Sequence, residues 1–239
     1  LEHPESLAII VALDVTGSMG MVPEDIVKNT LPELMGTLIE GGIADPQVLF
    51  LGIGDHVYDN APLQVGQFES SAELLDRWLT KVYLEGGGGG NRGESYHLAW
   101  LFAARHTAID CLEKRGQKGY LFTMGDEPCL PEIPADIIKR LTPAKQASTI
   151  KATDILKEAQ EKYRVFHMHI EHGSWSTTDD SREGWDELLG QHMMKVPDYQ
   201  ALAKRIATVV VDDYGSASAK VSNVSGAASD DSSDVEDML

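Results

Sequence analysis

The sequence predicts an α/β fold, with a largely parallel sheet covered by helices on both faces. Three observations carry this. Continuous apolar runs such as Leu7 to Leu13 and Val48 to Ile53 read as strands buried on both sides. Segments with apolar residues at helical spacing separate these runs, the alternation that builds parallel sheets. Polar stretches rich in glycine follow several runs and place loops at the strand ends.

Leu7 to Leu13 is the first strand. Pro23 suits the first turn of the next helix, whose apolar face runs through Ile26, Val27, Thr30, Leu31, Leu34, Met35 and Leu38. Pro32 interrupts that face and predicts a kink or a restart, and Gly41-Gly42 ends the element. Val48 to Ile53 is the second strand, Gly54-Asp55-His56 a loop, and Ala61 to Val65 an antiparallel edge strand or hairpin arm. Ser70 or Ser71 caps a short helix ending at Leu79. The glycine run Gly86 to Gly90 then leads through Asn91-Arg92-Gly93-Glu94 into a helix predicted over Ser95 to Leu112. Tyr120 to Thr123 is the third core strand. Between Pro131 and Tyr163 no strand is predicted, only helices near Ile137 to Leu141 and over Ser148 to Tyr163. Arg164 to Ile170 is a further strand, and Trp185 to Met194 and Tyr199 to Val211 are the last helices.

The pattern divides the chain into a polar arm over 1–6, a folded domain over 7–214 and an acidic tail over 215–239. The tail has too few bulky apolar groups to offset its ordering entropy and is expected to be disordered. It serves either as a solubilising extension or as a docking segment for a basic partner. With 42% hydrophobic residues the domain can fill a substantial core. The balance of 20 basic against 38 acidic residues, a net −18, argues against nucleic acid or an anionic membrane as partner. No apolar run approaches the roughly 18 residues needed to span a bilayer. Cys111 and Cys129 are the only cysteines, which is no disulfide framework, so a reducing, cytoplasmic compartment is the simpler expectation.

In open α/β sheets, binding sites form beyond the carboxyl ends of the strands. Three loops in that position carry oxygen donors. The first holds Asp14, Thr16 and Ser18 at alternating positions. The second ends the glycine run at Glu94-Ser95, at a helix start. The third reads Thr123-Met124-Gly125-Asp126-Glu127. Carboxylates and hydroxyls make a hard donor set, suited to Mg²⁺, Mn²⁺ or Ca²⁺ more than to Zn²⁺.

Asp14-Val15-Thr16-Gly17-Ser18 resembles the first motif, Asp-x-Ser/Thr-x-Ser, of the metal-ion-dependent adhesion site of von Willebrand factor type A domains. The strand and helix order extends the resemblance over roughly residues 7–212. It implies a Rossmann-like three-layer α/β/α domain and a cation held by Asp14, Thr16 and Ser18. It also implies a Glu in a glycine-rich loop, as in the integrin beta variant, which falls on Glu94 with Ser95 as fallback. The third motif, usually Thr-Asp-Gly, departs here: Met124 stands in the Asp place, and Asp126, preferred to Glu127, follows two residues later. The resemblance implies binding rather than turnover. A protein ligand would present a carboxylate to the ion, and some family members act beside AAA+ ATPases. Candidate partner contacts are His56, Asn91, Arg92 and Trp175, the last either an interface anchor or local loop packing.

Other chemistries fit less well. A haloacid-dehalogenase-type phosphohydrolase needs a second carboxylate where Thr16 stands. No phosphate-binding Gly-x-x-x-x-Gly-Lys-Ser/Thr loop, dinucleotide fingerprint or nucleophile elbow is present. His167, His169 and His172 offer a second metal cluster, against the simpler reading of strand-end histidines with ordinary hydrogen bonds. The alternative function is a structural domain with a degenerate ion site.

Overall fold

The structure, a computed structural model, describes residues 3–85, 92–171, 182 and 184–227, with side chains of the last helix through 216. Strand β1 (Ser6–Asp14) is buried along its whole length. It leads by a short turn into α1 (Val22–Asp25), a π-helical turn (Ile26–Thr30), a 3-10 turn (Leu31–Glu33) and α2 (Leu34–Glu40). The irregular middle is the expected effect of Pro32, whose ring cannot sit against a regular preceding turn. Next come β2 (Asp45–Ile53), β3 (Leu63–Glu69) and α3 (Ala72–Leu79), the last capped by the Ser71 hydroxyl accepting from Leu74 N–H. The helices α4 (Tyr96–His106) and α5 (Asp110–Arg115) precede β4 (Gly119–Gly125). A two-residue pair, β5 (Glu132–Ile133) with β6 (Ile150–Lys151), brackets α6 (Ala135–Leu141). The chain closes with α7 (Ala152–Lys162), β7 (Tyr163–Ile170), α8 (Trp185–Leu189), β8 (Met193–Val196) and α9 (Leu202–Ala227).

The main sheet has the order β3-β2-β1-β4-β7-β8. Among the described residues of this sheet, β2 and β3 pair antiparallel and the other neighbours pair parallel. Alternation along the strands sends Leu7, Ile9, Val11 and Leu13 to a layer with α1, α2, α3 and α9. Ala8, Ile10 and Ala12 face the opposite layer, built from α4 through α8. The fold is the expected three-layer α/β/α arrangement with one antiparallel edge.

Several local expectations are corrected. The helix predicted over Ser95 to Leu112 is broken at Thr107, whose backbone is extended. Its hydroxyl bonds both Ala103 O and Tyr163 OH, and Lys162 Nζ donates to its carbonyl, so tertiary partners replace the helical ones. Pro131 to Tyr163 does hold strand pairing, in β5 and β6. Met193-Met194, read as the end of a helix, belongs to edge strand β8 and pairs with His167 and Met168. The last helix, expected over Tyr199 to Val211, spans Leu202–Ala227. Among the described residues no helix is long and apolar enough to cross a membrane.

Candidate metal centre

Asp14 is the last residue of β1, and Asp126 follows the end of the adjacent β4. Strand order diverges on either side of this pair, β2 to one flank and β7 to the other, which opens a crevice at the carboxyl ends. Asp14 is fully buried and its Oδ1 accepts from Thr16 N–H at 2.9 Å and from the Thr16 hydroxyl at 2.7 Å. The Ser18 hydroxyl donates to Asp126 Oδ1 at 3.1 Å. Thr16 Oγ1 and Ser18 Oγ stand 3.1 Å apart. The first and third loops therefore meet in one chain of contacts, Asp14–Thr16–Ser18–Asp126. A hydroxyl has one hydrogen. Thr16 and Ser18 are also within hydrogen-bond distance of each other, either one able to donate, and a cation held by both oxygens would take the place of that shared contact. Ser18 is half-buried between exposed Gly17 and Gly20, which leaves this point open to solvent.

The departure at Met124 has a geometric answer. Met124 points into the apolar layer with α2 and α9, so its position cannot serve the crevice. Asp126 turns to Ser18, while Glu127 Oε2 accepts from Gly93 N–H at 2.8 Å. Glu94 is buried beside them and pairs its backbone with Pro128 and Leu130, which anchors the end of the second loop to the third. Ser95 is spent elsewhere: its hydroxyl accepts from His56 N–H at 2.9 Å and lies 2.8 Å from His56 Nδ1. Of the Glu94-Ser95 pair, Glu94 is the one whose carboxyl feels the charge of Asp14.

The electrostatics are those of crowded acids. Burial pushes the Asp14 carboxyl up to about 7, and Asp126 adds to the rise against the lowering effect of the Thr16 bonds. Burial likewise pushes Glu94 up to about 11, with Asp14, Glu127, Asp55 and Asp59 all contributing. Asp55 Oδ2 and Glu94 Oε2 are buried without a hydrogen-bond partner among the described residues. Such a cluster needs protons or a bound cation to persist. The donor set fits a hard divalent ion. Its protein ligands would be two hydroxyls with carboxylates, for among the described residues no three His, Cys, Asp or Glu side chains are grouped to hold a metal.

Of the expected partner contacts, Arg92 is exposed beside Gly93. His56 is not a surface group: it is buried, its ring faces Ser95 and its carbonyl accepts from Arg140. Asn91 and Trp175 lie outside the described residues, as do the glycine run and His172. His167 and His169 are buried on one face of β7, where His167 stacks on Trp185 at 3.6 Å and bonds Thr123 Oγ1 at 3.0 Å. Sequence reading missed Tyr96, whose hydroxyl donates to Asp14 Oδ2 at 2.9 Å. The only sequence signal for it is its place just after Glu94-Ser95.

Neither a protein-family model nor a curated protein matches the sequence. Solved structures do. The pilus adhesin SpaC from Lactobacillus rhamnosus GG superposes with a TM-score of 0.58 at 10% identity, over 87% of this chain and 30% of that one. Proximal thread matrix protein 1 from the mussel byssus gives 0.57 at 10% identity, over 87% and 47%. A second structure of that protein, with a zinc-occupied MIDAS motif, gives 0.54 at 11% identity, over 87% and 47%. The chain thus spans under half the length of these proteins. The cytoplasmic expectation is corrected here, because a pilus adhesin and a byssal matrix protein are not cytoplasmic proteins. Its physical basis was weak: Cys111 is sealed in the core, where a thiol stays reduced in any compartment. At the level of fold, the chain is similar to a pilus adhesin and to a byssal matrix protein that carries a MIDAS motif.

Proposed function

We propose that this chain is a binding module that engages a protein ligand through a divalent cation. Thr16, Ser18, Asp126 and Glu94 would hold the ion, with Asp14 orienting the hydroxyls. The ion would supply an open coordination position for a carboxylate of the partner. The observation that carries this reading is the close pair of hydroxyl oxygens, 3.1 Å apart, each also bonded to a carboxylate from a different loop. The acid cluster around Asp14 and Glu94 supports it, since a bound cation offsets the repulsion that burial otherwise amplifies. The fold is shared with an adhesin and with a matrix protein whose MIDAS motif holds zinc, which gives binding precedence over catalysis. A phosphohydrolase is disfavoured by Thr16, whose hydroxyl donates to Asp14 where a second acid would be required.

The second reading is a structural domain with a degenerate ion site. Met124 in the usual acid position favours it. Calorimetric titration of Mg²⁺, Mn²⁺ and Ca²⁺ into metal-free protein separates the two. One-site binding that weakens at least about 100-fold in Asp14→Ala is the expected result. A folded wild-type protein that binds none of the three ions overturns the proposal and leaves the structural reading.

A further inference from the structure

Tyr96 opens α4 and is fully buried. Its hydroxyl donates to Asp14 Oδ2, the oxygen that Thr16 leaves free. The space for that contact is set by Gly125. A Cβ at position 125 would run into the Tyr96 hydroxyl and come within 2.8 Å of Asp14 Oδ2. No side chain fits there without dislodging the bond. The Tyr96 ring is itself fixed edge-on against His167 at 5.1 Å and Trp185 at 5.3 Å. Trp185 also donates from Nε1 to the Glu127 carbonyl at 3.0 Å, in the loop that carries Asp126. One buried aromatic group therefore ties down both halves of the crevice.

We infer that Tyr96 is the positioning residue of the cation site, holding the Asp14 carboxylate in the one rotation that commits Oδ1 to Thr16. It never touches the ion. Its hydroxyl engages Oδ2 and resists any turn of Asp14 that would bring both oxygens to the ion, and the Thr16 and Ser18 hydroxyl oxygens stay paired at the crevice. This rests on the cation reading above.

The test uses Tyr96→Phe with Tyr163→Phe as control. Tyr163 is equally buried and bonds Thr107 at 2.7 Å, at the opposite end of the sheet. Mn²⁺ titration should show cation affinity down by about tenfold in Tyr96→Phe and unchanged in Tyr163→Phe. The tyrosine absorbance-difference spectrum on adding Mn²⁺ should appear in wild type and Tyr163→Phe and vanish in Tyr96→Phe. An affinity in Tyr96→Phe within about twofold of wild type, or a persisting difference spectrum, overturns the role of Tyr96 alone. Absence of Mn²⁺ binding by folded wild-type protein defeats the cation reading, and this inference with it.

Discussion

The two faces of strands β4 and β7 are built from different materials. On one, Tyr120, Phe122, Met124, Phe166 and Met168 form a dry layer against α2 and α9, with Phe122 and Phe166 stacked at 5.1 Å. On the other, Leu121 and Val165 share the surface with Thr123, His167 and His169, packed beneath Tyr96 and Trp185. Buried polar groups carry a desolvation cost that apolar ones do not. The polar face repays it in position: Tyr96 holds Asp14, and Trp185 holds the Asp126-Glu127 loop. The dry face holds the sheet to its helices. Stability and site geometry are thus separated by the two-residue period of the same strands.

The strongest way to break this comparison is Met124→Asp, which places there the acid of the Thr-Asp-Gly motif that the loop resembles. The dry face gives it no partner, so about 4 kcal/mol or more of stability should be lost, with no gain in cation affinity. Urea unfolding and Mn²⁺ titration check both halves. Tighter cation binding in this variant would show that residue 124 can reach the crevice and that the faces are not separate.

How much of this was legible in sequence follows from where each contact lies. Asp14, Thr16 and Ser18 are near neighbours beyond an apolar run, so local spacing alone brings their oxygens together. The α/β order was legible because buried strands and amphipathic helices differ in period. The bond between Ser18 and Asp126 joins residues far apart in sequence, and depends on the direction the chain takes after Gly125. Tyr96 was invisible for the same reason, since its role needs both a distant aspartate and a glycine that leaves room. The break at Thr107 and the strand at Met193-Met194 are likewise tertiary choices, made by Tyr163 and by an open sheet edge.

Trp185→Phe sharpens the comparison from the polar side. It removes the bond to the Glu127 carbonyl and part of the stack on His167. A cost of about 2 kcal/mol is expected, together with a cation affinity about tenfold weaker. A dry-face change of equal cost, such as Met168→Ala, should leave affinity intact in the folded protein. Equal affinity losses in the two variants would mean that loosening the sheet, rather than moving the loop, weakens the site.

The smallest expected effect is also the one that reads both classes of buried group at once. A carboxyl whose pKa is raised by folding adds stability below its unfolded value and gives it up as pH rises through the folded one. Asp14, raised to about 7, and Glu94 and Asp59, raised with it by burial, make the metal-free protein less stable on the alkaline side. A histidine held neutral by burial acts in the other direction, and costs stability as pH falls below its unfolded value. His56, His97 and His167 are all lowered by burial, His97 to about 3. A cation should therefore rescue only the carboxylate limb, because it binds the ionised acids. Saturating Mg²⁺ should raise the melting temperature by about 3–5 °C more at about pH 8 than at about pH 5.5. Below about pH 6.5 the buried histidines lower stability with or without the ion, while the stability added by the ion fades as Asp14 takes its proton. If Mg²⁺ instead stabilised equally at both pH values, the acids around Asp14 would not be what it binds.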